Sequence, residues 1–399
     1  MRISTANAYD KGIDTLNRRQ AELAEIQEQL TTGKRIQRAS DDPAAAARAE
    51  RATASLERAI ANQRGVEASR VAMRQTESTL GDAGLLMQRA RELLVAAGNA
   101  SYTDSERRAL GSELRSVRTQ LLALANQGDG AGNHLFGGQG GAQKPFIDAP
   151  GGVQYAAVPG QALTEASTGL PLSTDGRATW LTSATGNGVF ATSAAPTVLN
   201  AVIDAGGVAD PSLLTGSDYT LQFDVAAGVT TYAVLRDGLP TAVTAAPYVS
   251  GQAISIDGMT VSVSGAPAAG DEFRIAPSTP TLSVFAVLDD AAAALETPGR
   301  TASQILQANA DSLRNVDSVL GTLVDARAAV GAVLNRIDSE SERLETQKLA
   351  SRTERSNAED VDLVHAISEL QTQQSGYDAA LKSYAMVQRL SLFQYVNGG

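Results

Sequence analysis

Between residues 306 and 344, apolar side chains return at a spacing that suits a helix lying along another helix. A heptad frame has core positions at 306, 313, 320, 327, 334, 341 and at 309, 316, 323, 330, 337, 344. Nine of the twelve are apolar: Leu306, Leu313, Leu320, Leu334, Val316, Leu323, Val330, Ile337 and Leu344. Asn309, Arg327 and Ser341 are the exceptions. A stripe this narrow and this long needs a second helix to cover it.

Both chain ends repeat the pattern. Near the N-terminus the stripe is Tyr9, Ile13, Leu16, Gln20, Leu23, Gln27, Leu30; near the C-terminus it is Leu363, Ile367, Leu370, Gln374, Tyr377, Leu381, Tyr384, Gln388. Two narrow, Gln-interrupted stripes at opposite ends of one chain are expected to cover each other. Gln in a seam costs stability and fixes register. A terminal helix pair is marginal in water without neighbours. Leu390, Leu392, Phe393 and Tyr395 add apolar groups that a monomer has trouble burying. The ends therefore read as parts that finish folding inside an assembly.

Punctuation divides the rest. Gly33 suits a helix C-terminal cap, and Ser40-Asp41-Asp42-Pro43 restarts a helix with a carboxylate cap and Pro at its first position. That helix is expected to run to about Gly98, weakened at Gly65, Gly81 and Gly84, where a break is allowed. Thr103-Asp104-Ser105-Glu106 has the form of a capping box. Seven glycines between Gly128 and Gly141 mark a loop cluster. Beyond it, Tyr219–Val225, Ile254–Ile256 and Met259–Val263 alternate like half-buried strands, and Asp257-Gly258 reads as a tight hairpin turn. Helical signals return near Ser283, and a long helix should start at about Thr301.

Composition narrows the chemistry. Aromatics are only 4% of a chain that is 43% hydrophobic, so the core must be built from Ala, Leu, Val and Ile. That suits closely approaching helices better than a cofactor pocket. The net charge is −11, and 143–280 holds four basic against eleven acidic residues. No region has the basic excess that nucleic-acid binding needs. Cysteine is absent, which excludes disulfides and thiol catalysis. No stretch approaches a transmembrane span, and Met1–Asn7 lacks the apolar run of a secretory signal. His134 lies in the Gly-rich loop, which lacks the Gly-Lys-Ser/Thr ending of a phosphate loop. Asp362 and His365 share a helix face without further ligands and read as a solvated surface rather than a metal pair. Nothing selects a catalytic set, a cofactor or a metal, so the chain reads as structural rather than enzymatic.

Several runs together resemble a known family. Gln29-Leu30-Thr31-Thr32-Gly33-Lys34-Arg35-Ile36, followed by Ala39-Ser40-Asp41-Asp42-Pro43-Ala44, resembles the N-terminal signature of the flagellin superfamily. Flagellins typically carry Ala where Pro43 stands; the Pro form is similar to the hook–filament junction, or FlgL, type. Gln88-Arg89-Ala90-Arg91-Glu92-Leu93 with Gly98-Asn99 resembles the family's second helix. Leu124-Ala125-Asn126 and Leu135-Phe136-Gly137-Gly138 resemble its turn into a β domain, with His134 where an aromatic often stands. The run from Ser264 to Phe273 resembles the hairpin closing that domain. Glu359-Asp360-Val361-Asp362-Leu363 and Ser391-Leu392-Phe393-Gln394-Tyr395 resemble the C-terminal helix. No run within 150–210 carries the resemblance.

The expected fold is α+β: long α-helical coiled-coil arms from both termini with an inserted β-rich middle domain. The N-terminal arm (1–42) and C-terminal arm (357–399) would form an inner tube. Residues 43–142 and 281–356 would form a helical rod, and 143–280 the outer β domain. The resemblance implies export through the flagellar type III apparatus without a cleaved signal, and an extracellular place in the flagellum. It implies a ring of identical subunits between a first hook-associated protein and flagellin, and an export chaperone on the C-terminal helix. A flagellin-like filament subunit is the alternative. The expected assembly residues are Ile13, Leu16, Leu23, Leu30, Leu363, Ile367, Leu370, Tyr377, Leu381 and Tyr384. Ile367, Leu370, Leu381 and Tyr384 are also the expected chaperone contacts. Gln88, Arg89, Glu92 and Leu93 are a candidate surface for the innate receptor that senses flagellin.

Overall fold

The structure, a computed structural model, describes residues 5–99, 101–140, 142–165 and 169–396, without the side chains of 5–9 and 387–396. The described residues form helices α1 (Thr5–Thr32), α2 (Pro43–Ala97), α3 (Asp104–Ala125), the short α4 (Gly176–Trp180), α5 (Val284–Glu296), α6 (Ala302–Glu359) and α7 (Leu363–Val396). Between α3 and α5 lie the strands: β1 (Phe146–Ala149), β2 (Gly152–Tyr155), β3 (Ser183–Ala184), β4 (Phe190–Ala194), β5 (Ala201–Ile203), β6 (Gly207–Val208) and β7 (Tyr219–Ala226). They continue with β8 (Val229–Arg236), β9 (Leu239–Pro240), β10 (Ala246–Pro247), β11 (Ala253–Ile256), β12 (Met259–Gly265), β13 (Glu272–Pro277) and β14 (Pro280–Leu282). The architecture is α+β, with helical arms around a β-rich centre. Two compact units share it, one of 1–64 with 340–399 and one of 65–339.

α2 runs unbroken through all three of the glycines that weaken it. Its buried residues explain why. Ala45, Ala49, Ala52, Leu56 and Ala59 in one unit, and Val66, Ser69, Met73, Thr76, Leu80, Ala83, Met87, Ala90, Leu94 and Ala97 in the other, keep a three-four spacing along the helix. A continuous packed seam outweighs a helix-interior glycine, which costs about 1 kcal/mol. α6 supplies the facing stripe: Val316, Leu323, Val330, Ile337 and Leu344 are all buried, the continuous half of the heptad frame. The other half is looser, and Leu306 and Arg327 are exposed. The two helices run antiparallel within each unit. Ser351 donates to Ser55 and Gln63 to Ser341 in one; Arg70 meets Asp338, Glu77 meets Arg327 and Arg91 meets Asp317 in the other.

The expected capping box closes as read. Glu106 N donates to Thr103 Oγ1 (3.3 Å), and Thr103 N donates to Glu106 Oε2 (2.7 Å). α3 then packs on α5, which Ser283 caps. Arg118 lies between Asp148 (2.6 Å) and Asp289 (2.7 Å), and Arg115 pairs with Glu296 (2.7 Å). Beside them is an aromatic cluster. Trp180 stacks on Phe285 at 6.0 Å and meets Phe136 edge-on at 5.3 Å, while Phe146 packs on Phe285 and Tyr155. The Gly-rich loop delivers Leu135 and Phe136 into this core, both fully buried. Gly138, at φ +62°, lies under the Val158 carbonyl, where no side chain fits.

The outer lobe begins only after this core. β3 pairs with β14 at its base, and entry and exit stand side by side: Thr185 N donates to Thr279 O (3.0 Å). Above them one sheet has the order β10-β8-β7-β13-β4 with β9 on β8; the other has β11-β12-β5 with β6 on β12. Their inner faces share one core, including Phe190, Ile203, Leu221, Phe223, Val261, Phe273 and Ile275. The three strands read from alternation are β7, β11 and β12. Asp257 and Gly258, both at positive φ, make the expected turn. Ala227-Gly228 and Asp237-Gly238 make equivalent turns that sequence reading passed over. The run 264–273 is not a closing hairpin. β12 pairs with β11, β5 and β6, whereas β13 pairs with β7 and β4, so the run crosses between sheets.

Candidate assembly interface

The two chain ends meet. α1 packs along α7, but the seam is not the stripe of large aliphatics. The buried and half-buried residues of α1 include Gly12, Leu16, Arg19, Leu23, Ile26 and Leu30, flanked by Thr15, Glu22 and Gln29; those of α7 include Ala366, Leu370, Gln373, Tyr377, Ala380 and Tyr384, flanked by Gly376. Each set alternates at four and three residues, as a heptad seam requires. Six of the thirteen described stripe positions belong to it: Leu16, Leu23, Leu30, Leu370, Tyr377 and Tyr384. The other seven face away. Ile13 is 43% exposed, Leu363 53%, Ile367 48% and Leu381 40%, and Gln20, Gln27 and Gln374 are exposed as well.

Small residues account for the shift. The Tyr384 ring lies 3.4 Å from where a Cβ on Gly12 would stand, and the Arg19 guanidinium occupies the space a Cβ on Gly376 would need. Arg19 Nη1 also reaches Gln373 Oε1 at 3.5 Å, so the polar position in the seam is Gln373 rather than a neighbouring glutamine. Gly12, Ala366, Gly376 and Ala380 let the helices close along a line that counting large aliphatics cannot find. Val364 and Met386 join the aliphatics left outside. Tyr9, Gln388, Leu390, Leu392, Phe393 and Tyr395 lie outside the residues whose side chains are described.

The connections at the ends of the arms are clasped together. Gly33 turns the chain at φ +71°. Arg35 N then donates to Glu359 O (2.6 Å) and Val361 N to Gly33 O (3.0 Å). Lys34 pairs with Glu359 at 3.0 Å, and Arg35 Nη2 donates to Ala358 O at 3.0 Å. Asp41 receives the main-chain N–H of Gln37 and Arg38, and Asp42 caps α2 by receiving Ala45 N at 3.0 Å. These main-chain donors, with Arg38 first for Asp41 and Ala45 first for Asp42, hold both carboxyls below the ordinary carboxylate range. Depressed carboxyls stabilise the fold above their unfolded pKa, and that contribution disappears as the pH falls through the folded value. Asp42→Ala should therefore lower the denaturation midpoint at neutral pH and converge with the parent in strong acid. Equal differences at both ends of a pH series of melts would contradict the cap.

The remaining candidate positions divide. Gln88, Arg89 and Glu92 are exposed, and Arg89 is held by Glu92 (3.2 Å) and Glu113 (2.7 Å). Leu93 is buried and cannot share their surface. His134 Nδ1 lies 2.9 Å from Asn126 O. Asp362 caps α7, receiving Val364 N and His365 N, so its carboxylate serves the helix end. Among the described residues no group of three His, Cys, Asp or Glu is placed to hold a metal ion, and no helix is long and apolar enough to cross a membrane.

Residues 3–140 match the bacterial flagellin N-terminal helical region, and 313–396 the bacterial flagellin C-terminal helical region. Residues 193–277, within the outer lobe, match the D2-like domain of flagellar hook-associated protein 1. Flagellar hook-associated protein 3 of Salmonella typhimurium is 36% identical over 160 residues, covering 38% of this chain and 48% of that one. Flagellar hook-associated protein 3 of Escherichia coli is 25% identical over 406 residues, 99% of each chain. The crystal structure of Xanthomonas campestris FlgL superposes with a TM-score of 0.67 at 30% identity, covering 76% of this chain and 99% of that one.

Proposed function

The chain belongs to the FlgL family, the hook-associated protein 3 branch of the flagellin superfamily, and we propose on that premise that it is a structural subunit joining the flagellar hook to the flagellin filament. The observation that carries the reading is the α1–α7 pair, whose own seam leaves Ile13, Leu363, Val364, Ile367, Leu381 and Met386 uncovered. In this reading those residues meet copies of the same chain in a ring. The ring seats on a first hook-associated protein and offers its far side to flagellin. The subunit is exported by the flagellar type III apparatus without a cleaved signal and works outside the cell. Before export a chaperone covers the apolar face of α7. Ile367 and Leu381 are available to it directly; Leu370 and Tyr384 are available only when α7 is parted from α1.

The matches of both arms to flagellin regions also favour a filament-subunit reading. A relative matched end to end is a flagellar hook-associated protein 3 and the superposed crystal structure is an FlgL, neither of them a flagellin, which favours the first. Capture on immobilised subunit separates the two. A junction subunit should retain both purified flagellin and the first hook-associated protein while forming no long polymer alone. Self-polymerisation into filaments would support the alternative, and retention of neither partner would refute the junction reading.

A further inference from the structure

α6 and Thr301 at its start meet the outer lobe through a ladder of polar side chains, most of them bonded to main chain. Thr301 Oγ1 donates to Leu199 O (2.6 Å), and Ser318 Oγ donates to Ala184 O (2.6 Å). Between them Ile203 N, on β5, donates to Gln307 Oε1 at 2.8 Å, and Arg314 Nη1 donates to Thr192 Oγ1, on β4, at 3.1 Å. Thr192 Oγ1 in turn donates to Asp204 O at 2.6 Å, which ties β4 to the end of β5. Gln307 and Ile203 are both buried, so this amide and this N–H have no solvent to fall back on.

Asp311 organises the middle of the ladder. Its carboxylate receives Gln307 Nε2 at 3.0 and 3.1 Å and Arg314 Nη2 at 2.8 Å. Holding Nε2 of Gln307 leaves Oε1 pointing at β5; holding one terminal nitrogen of Arg314 leaves the other pointing at β4. Neither orientation follows from the strands alone. An amide turned through half a rotation would set N–H against N–H at Ile203.

We propose that Asp311 is the positioning residue for the outer lobe: through Gln307 and Arg314 it fixes how the two sheets sit on α6. The lobe then takes its direction from a hydrogen-bonded seat, with α6 acting toward β5 as a neighbouring strand would. Asp311 touches neither sheet with a bond of its own, so its influence passes through the two side chains it holds. Loss of the carboxylate should free both at once.

The chain has no cysteine, so two introduced thiols label cleanly. Spin labels at Thr244→Cys on the lobe and Ala332→Cys on α6, both exposed, report the distance between them. The parent should give one narrow distribution. Asp311→Ala and Gln307→Ala should each broaden it, and the double variant should be no broader than Asp311→Ala alone, since the Gln307 link is already cut there. Asp311→Asn, which keeps an acceptor and loses the charge, should lie between. Asp325→Ala, on an exposed part of α6, should match the parent. Distributions for Asp311→Ala and Gln307→Ala that superpose on the parent would overturn the proposal, as would a double variant showing the sum of two independent effects. If Asp311→Ala fails to fold, Gln307→Ala against Asp311→Asn still decides, and parent-like distributions in both would refute it.

Discussion

A subunit carrying Ile367→Asp together with Leu381→Asp is expected to fold as the parent does and to lose its place in the junction. Both side chains are about half exposed on the isolated chain and lie off the α1–α7 seam, so the charges stay in water until assembly. Fully burying a Leu or Ile is worth roughly 1.5–3 kcal/mol, so the part still uncovered on this pair, a little under half of each, is worth about 1–3 kcal/mol together. Burying carboxylates there adds a desolvation cost, and binding should weaken on the order of a hundredfold or more. Leu23→Asp is the informative contrast. Leu23 is in the seam, so its variant should lose helix content before any partner is added. Circular dichroism of the purified subunits reads the first difference, and capture of partners by the same preparations reads the second. An Ile367→Asp, Leu381→Asp protein that binds at full strength would move the assembly surface elsewhere.

Excising the outer lobe should separate two cuts that look alike in sequence. Removing 186–278 and joining Thr185 to Thr279 through a short Gly-Ser turn follows the hydrogen bond already present at the base of the lobe. It takes away the shared core of the two sheets whole and leaves the aromatic cluster untouched. The shortened subunit should melt cooperatively and still bind its partners, because the uncovered apolar residues of the arms are retained. Removing 150–275 instead takes β2, α4 and Trp180. Truncating one buried aromatic of this size costs about 3–5 kcal/mol, a large share of a domain's net stability, and here the surrounding strands go with it. That variant should unfold without a sharp transition. Calorimetry of the two proteins side by side tests the boundary; equal loss of cooperativity in both would mean that the lobe is not a separable module.

The contrast between those cuts marks how far the residues could be read without coordinates. Helix ends were legible because caps are local: Thr103 with Glu106, Asp42 with Pro43, and Ser283 each satisfy donors within a few positions of themselves. The long stripe 316–344 was legible because a heptad is a one-dimensional pattern. The edge of the β region was not, since Trp180 joins Phe136 across 44 residues and Phe285 across 105, and no neighbour of Trp180 in sequence announces it. The seam of the arms was half legible. Leu16, Leu23, Leu370 and Tyr377 stand out by size, whereas Gly12, Ala366, Gly376 and Ala380 contribute by being small, which a search for large apolar side chains passes over. Asp311 gives no sequence signal beyond a polar residue within an apolar repeat. Its role exists only once α6 and β5 are brought together.

Cells that build hooks and secrete flagellin but lack their own junction subunit offer the most direct measurement. The purified chain is added from outside, together with the first hook-associated protein if the hooks lack that too, and hook tips are counted by electron microscopy for anchored filaments. A junction subunit should convert bare hooks into filament-bearing ones, lower the flagellin shed into the medium, and do neither when Ile367→Asp, Leu381→Asp protein is supplied. Bare hooks and undiminished shedding with the unaltered chain, under conditions where the cells' own subunit restores filaments, would contradict the account.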